Sequence, residues 1–315
     1  MAPANTGPSK KPLTPFQTTM ISGTAFLLSV VCIVHAHPRF EHCVNREKVK
    51  IPSTKPFILL EGSGSQWTTI EWSDHASNGH SKMSGGRVTP NFNTETSATF
   101  TLQADNFVAK YITFKNGYNM GGGQKQPIAQ AVAAVVNGDK AAFYNCGFVG
   151  VQDTLFDGNG RHFYSNCYIE GAIDFIFGFA KTVFERCHLH STAGDWGGGY
   201  LTAQGRGSDS DTGGYVFKYC IVSGTGPTYL GRAWNTHSRV VFYKSQFNVP
   251  ITPAGWDAWN HKDSTNSIFY AEQDCFGEGS EKSRRVSWER KLSGIDVSLF
   301  AHDFNEGRTW IKQQP

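Results

Sequence analysis

The chain has 315 residues, 39% of them hydrophobic and 17% charged, with 34 Gly, 23 Phe and a formal net charge of +3. That composition excludes a disordered or coiled-coil chain, and its scattered basic residues leave a nucleic-acid interface no clustered footprint. A mildly basic surface does suit an acidic polymer.

The first element in chain order is an apolar run from Ile21 to Val34, preceded by Lys10 and Lys11 and followed by His35-Ala36. Its 14 residues are too few to cross a bilayer core, which needs roughly 20. A basic flank, a short apolar stretch and small residues at its end are the parts of a secretory leader. Residues 1–36 are therefore expected to be a signal peptide or a disordered N-terminal segment, with residues 37–315 as the folded domain. The protein is expected to be secreted to the cell wall or extracellular space, without stable membrane insertion. Cleavage after Ala36 would leave Cys43, Cys146, Cys167, Cys187, Cys220 and Cys275, an even set that permits disulfides without assigning them. No Cys/His spacing suggests zinc.

Self-similarity begins in the middle of the chain. Phe143-Tyr144-Asn145-Cys146, Tyr164-Ser165-Asn166-Cys167, Phe184-Glu185-Arg186-Cys187 and Phe217-Lys218-Tyr219-Cys220 are each followed two residues later by an apolar or aromatic side chain. The cysteines are spaced 21, 20 and 33 apart, and related runs at Tyr111–Phe114 and Val241–Ser245 extend the series. Each unit is β-branched or aromatic and bounded by Gly, Asn or Asp, without a helical period. Strands repeating at this interval with no helix between them predict an all-β chain coiled into a single-stranded parallel β-helix. The longer interval holds the Gly-rich stretch from Asp195 to Tyr200 and the polar run from Gly205 to Gly214, read as loops inserted into one coil. A further loop is expected from Gly117 to Gln126. Such loops on one face form the walls of a cleft. Residues from Asp257 onward lack the repeat and are expected to pack along the outside.

Two aspartates share the register of this repeat. Asp153 lies seven residues after Cys146, and Asp174 seven after Cys167. Either alone reads as a turn residue. If the cysteines stack, however, the carboxylates stack too, and two acids so close cannot both ionise easily. Gln130 precedes Gln152 by 22 residues, which brings two amide donors toward the same spot. Tyr229-Leu230-Gly231-Arg232-Ala233-Trp234 adds a guanidinium able to hold one carboxylate ionised, with an indole beside it. An anion, an acid and oxyanion donors are the parts for covalent hydrolysis of an ester. The alternating His188 and His190 read as packing or solvent contacts.

These segments resemble the plant pectinesterase (pectin methylesterase) family in its form without a pro-region, through Gln-Ala-Val-Ala at 130–133, Gln-Asp-Thr-Leu at 152–155, Asp-Phe-Ile-Phe-Gly at 174–178 and Leu-Gly-Arg-Ala-Trp at 230–234. The resemblance runs from about Glu47 to Trp310. It implies a right-handed β-helix that demethylates pectin (homogalacturonan) without metal or cofactor. Asp174 would be the nucleophile, Asp153 the acid and then base, and Gln130 and Gln152 the oxyanion donors. Arg232 would fix the two aspartate roles, while Trp234 and Phe175 would bind substrate. A monomer is expected, with a proteinaceous pectinesterase inhibitor as a candidate partner.

Three departures stand out. Ala233 replaces the family's proline, only Glu47 survives of the early Gly-x-Tyr-x-Glu, and the N-terminal cap of the coil reads as truncated, which would expose strand edges. Polygalacturonase and pectate lyase are competing readings, but the expected Gly-His-Gly-type segment and acidic calcium site are not evident. The remaining alternative is a noncatalytic pectin-binding wall protein or truncated inactive homologue.

Overall fold

The computed structural model describes residues 17–21, 25–29, 43–76, 93–120 and 127–314. Short strands recur because each run of β-branched and aromatic residues is cut off by a sharp turn. Leu155–Asp157, Arg161–Ser165 and Tyr168–Gly171 make one coil; Ile176–Gly178, Lys181–Glu185 and His188–Ser191 make the next, in parallel register. Repetition builds three long sheets of ten, eight and eight strands. This is the expected parallel β-helix.

The turn between the second and third strand of each coil explains why asparagine recurs before cysteine. Asn145 and Asn166 both have φ 53°, and Arg186, Tyr219, Lys244 and Asp274 take the same left-handed conformation on later coils. Asn adopts it more readily than other non-glycine residues.

Inside the coil, the apolar residues of successive strands form columns. The rings of Phe143, Tyr164, Phe184, Phe217 and Phe242 lie 4.9, 4.7, 4.5 and 4.5 Å apart in turn, all nearly parallel. Burying each is worth about 1.5–3 kcal/mol, and the stacked geometry adds about 0.5–1.5 kcal/mol per pair. Cys146, Cys167, Cys187 and Cys220 form a second column of buried free thiols, and Cys275 is also free. Their sulfurs approach backbone carbonyls, as Cys167 does with Phe143 O at 3.4 Å. The disulfides that the cysteine count permitted are thus not made by these five.

Among the described residues, the two eight-stranded sheets end on the N-terminal side at Val49–Ile51 and Cys43–Arg46, whereas the ten-stranded one continues from Ile58–Glu61 to Ala25–Ser29 and Gln17–Ile21. Ala25–Ser29 pairs parallel with Ile58–Glu61 and antiparallel with Gln17–Ile21. The expected bare end is therefore covered at one of its three sheets, by backbone from the segment read as a leader; the rest of residues 1–36 lies outside the described residues. So does most of the loop expected at 117–126.

The inserted loops fall where the long interval placed them, one on each side of Thr202–Gln204. At the other end the coil runs further than its legible repeat. Trp256–Asp257 and Phe269–Gln273 each add a strand before the chain leaves the coil. The expectation that everything from Asp257 packs outside holds only for the last part. There, the helix Gly294–His302 and the residues after it bring Phe300 and Phe304 against Val183, Val216, Val241 and Ala271. Among the described residues no helix is long and apolar enough to cross a membrane.

Candidate active site

Asp153 and Asp174 stand at the same position of adjacent coils. The register is bracketed by the bridge from Gln152 to Ile173 on one side and the pair Leu155 and Ile176 on the other. Adjacent strands lie about 4.8 Å apart, so the two carboxyl groups rise from neighbouring rungs. Both residues are left-handed, with φ 61° and 50°, at the corner that turns the chain into the next strand. Aspartate tolerates this conformation better than most residues, and strained backbone collects at functional sites.

Burial acts on both acids, since Asp153 is 8% and Asp174 7% exposed. Loss of water pushes Asp153 well above the usual carboxylate range, the charge of Asp174 pushes it further, and Arg232 opposes the shift weakly. Asp174 is also raised by burial, but two hydrogen bonds and the charge of Arg232 pull it back. Arg232 Nε donates to Asp174 Oδ1 at 2.8 Å and Nη2 donates to Oδ2. Among the described residues this is the one ion pair made by either aspartate. The pair therefore separates into a more readily ionised Asp174 and a protonated Asp153, as expected when like charges compete beside one cation.

The sheet register explains how Arg232 gets there. Phe156, Phe177, Ala203, Arg232 and Asp257 form one outward column on successive strands. Phe156 and Phe177 stack at 4.6 Å, and Ala203 leaves a gap across which the long Arg232 side chain returns to Asp174. Its guanidinium is sandwiched, with Cζ 4.5 Å from the Tyr200 ring centroid and 4.1 Å from that of Trp259.

The aspartates open into a cleft of about 460 Å³ lined by Gln130, Gln152, Phe156, Phe177, Trp234 and Trp259, among others. Of the residues singled out from sequence, Asp153, Asp174, Gln130, Gln152, Arg232 and Trp234 all come together here. Gln130 is one residue out of strict register with Gln152, because the ladder pairs Ala134 with Leu155, yet its side chain lines the cleft. Trp234 is 37% exposed and packs against Phe177 and Phe179.

Phe175 does not line the cleft, contrary to expectation. It is fully buried in the core and packs on Gly171, where a Cβ would lie 2.2 Å from that of Phe175. The corner at Asp174 sends the next side chain inward, and Phe177, two residues on, takes the outward place. Phe156 and Phe177 were missed, although each follows an aspartate by three residues and so shares its periodicity. Tyr200 stands three residues before Ala203 in the same way, in a short strand paired with Thr228–Tyr229, but the insertion before it hides the interval. Trp259 lies within the span of the family resemblance, but nothing in its sequence position points to Arg232. His188 and His190 lie on a different sheet from the aspartates, and both hydrogen-bond Ser223 on the neighbouring strand of that sheet, at 2.6 and 3.0 Å.

Comparison with known proteins agrees with this fold. The profile of the family described as Pectinesterase matches residues 36–305. The chain belongs to the pectinesterase family. It is 42% identical over 277 residues to probable pectinesterase 29 of Arabidopsis thaliana, covering 86% of this chain and 78% of that protein. Probable pectinesterase 55 of the same plant is 43% identical over 277 residues, covering 86% and 79%. Among solved structures, pectin methylesterase from carrot superimposes with a TM-score of 0.78 at 31% identity, covering 93% of this chain and 87% of that one. Pectin methylesterase from Aspergillus niger gives 0.70 at 30% identity, covering 86% and 85%. The fold is thus the right-handed parallel β-helix of pectin methylesterases, and the protein is a carboxylic ester hydrolase.

Proposed function

We propose that this pectinesterase removes methyl groups from methyl-esterified homogalacturonan, with Asp174 as nucleophile and Asp153 as acid and then base. The observation that carries the assignment is the bidentate contact of Arg232 with Asp174 beside a second buried carboxyl group that has no such partner.

In this reading the Asp174 carboxylate attacks the ester carbonyl carbon, and the resulting oxyanion is received by Gln130 and Gln152. Each donor is worth about 3 to 4 kcal/mol if it acts like other oxyanion donors. Collapse breaks the bond to the methoxy group, which leaves as methanol with the proton of Asp153. The Asp153 carboxylate then takes a proton from water, whose oxygen attacks the acyl group held on Asp174. This frees Asp174 as carboxylate, leaves Asp153 protonated again, and releases galacturonic acid, which gives its proton to solvent. Trp234, exposed on the cleft wall, offers a ring face to a sugar.

The test is methanol release from methylated pectin by wild-type protein and Asp174→Asn, with circular dichroism confirming that both are folded. Wild type should release methanol without shortening the polymer, and Asp174→Asn should lose at least a thousandfold in kcat, of the order seen when an essential nucleophile is removed. Chain cleavage, or a folded Asp174→Asn variant with near-normal activity, refutes the reading. Secretion to the cell wall is proposed from the leader-like run before Ala36, and N-terminal sequencing of protein recovered from medium would test it.

A further inference from the structure

We infer that Asp257 is a positioning residue for the esterase site, a single carboxylate that ties together the two aromatic faces clamping the Arg232 guanidinium. The inference rests on the reading of Asp174 as the nucleophile that Arg232 holds.

One oxygen of Asp257, Oδ2, accepts from the Tyr200 hydroxyl at 3.1 Å, and the other, Oδ1, accepts from the Trp259 backbone N–H at 2.8 Å. Tyr200 and Trp259 are the two rings that lie against the guanidinium. Although Asp257 is paired directly with Arg232 in the sheet, it forms no ion pair with it. Its acceptors are turned to the Tyr200 hydroxyl and the Trp259 backbone instead, which leaves the Nε and Nη2 edge of Arg232 to Asp174. Both jaws need such a tie. Trp259 is left-handed at φ 49° and 36% exposed; the backbone of Tyr200 is held by a two-residue strand paired with Thr228–Tyr229, but its ring is steadied otherwise by stacking on Tyr229 at 5.1 Å. A planar fork bonds a carboxylate bidentately only when its plane is held in register, and an aromatic sandwich restricts rotation out of that plane. The charged or titratable groups facing Arg232 are Asp174, Tyr200 and Asp153. Asp174 faces Arg232, Asp153 and, within electrostatic range, Tyr270, while Asp257 acts on Tyr200 and Tyr270.

Asp257→Ala should free both jaws. The fork then loosens, Asp174 ionises at higher pH, and kcat/KM on the acidic limb falls about tenfold for each unit that the limb moves. KM should change little. Asp257→Asn keeps an oxygen for the Trp259 N–H but loses the acceptor for Tyr200, so it should fall between wild type and Asp257→Ala. Tyr200→Phe should match Asp257→Asn, and combining the two should add nothing. A readout independent of turnover is the exchange of the Arg232 Nε proton with water, followed by nitrogen-15 NMR, which should quicken in folded Asp257→Ala. A wild-type acidic limb with unchanged Arg232 exchange in that variant overturns the inference. So does a pH-independent loss of activity with unchanged exchange, which would mark Asp257 as merely structural. If Asp174→Asn stays active, the nucleophile assignment fails, while faster exchange in Asp257→Ala would still report the clamp.

Discussion

Replacing Arg232 with lysine tests whether the fork, rather than positive charge alone, sets the state of Asp174. Arginine makes two charge-assisted hydrogen bonds to this carboxylate and stacks between Tyr200 and Trp259. Lysine has a shorter reach and a single ammonium, so it keeps one of these bonds at most. The lost bond is worth about 1.5–3 kcal/mol. Nearly all of it acts on the ionised form of Asp174, and at 1.36 kcal/mol per unit the pKa should climb by roughly one to two units. The direction follows from the site: burial already raises Asp174, and Arg232 is what opposes the rise. The acidic limb of kcat/KM against pH should therefore move upward by one to two units. On that limb the rate should fall roughly 10- to 100-fold, whereas above it much of the activity should return. Asp153 must still be protonated at the start of the reaction, so the pH window narrows from its acid side. Methanol release measured from about pH 4 to pH 9 reads both limbs. A profile of wild-type shape scaled down uniformly would refute the argument, since it would mean that Arg232 does not govern the ionisation of Asp174.

Asp153→Asn should abolish turnover yet stabilise the fold at neutral pH. A carboxyl whose folded pKa is raised is stabilising only while protonated, so its contribution fades as pH rises from the unfolded value near 4 toward the folded one. The amide escapes that loss, and the variant's advantage in Tm at pH 7 should shrink as pH falls toward 4; an advantage equal at both pH values contradicts the raised pKa. Asn166→Val places a β-branched residue in the left-handed corner at φ 53°. It should cost about 1–2 kcal/mol in chemical denaturation, and no loss would show that the corner relaxes freely.

Much of this site was legible because a solenoid turns sequence spacing into distance. The cysteine interval gave the length of a coil, and the equal offsets of Asp153 and Asp174 from Cys146 and Cys167 placed the acids on neighbouring rungs. Phe175 was misplaced for a local reason: the left-handed corner at Asp174 breaks the alternation that periodicity assumes, so the next residue turns inward. The last coil escaped notice because its core position opposite Phe242 is taken by Glu272, which pairs with Arg285 rather than continuing the aromatic column. Tyr200 escaped notice because the Gly-rich insertion before it lengthens the interval, although it pairs with Tyr229 and stands three residues before Ala203.

The same geometry explains how two identical side chains acquire opposite states. Repetition alone would give Asp153 and Asp174 the same surroundings, since each begins the same corner of a similar coil. What separates them is the next part of the column. Beyond Asp153 comes Phe177, which fills the outward space; beyond Asp174 comes Ala203, which does not. Arg232 can cross that gap to the nearer aspartate, and the farther one is left to burial and to its neighbour's charge. The alanine at 203 is thus what lets the arginine divide acid from anion, although it has no polar atom in its side chain.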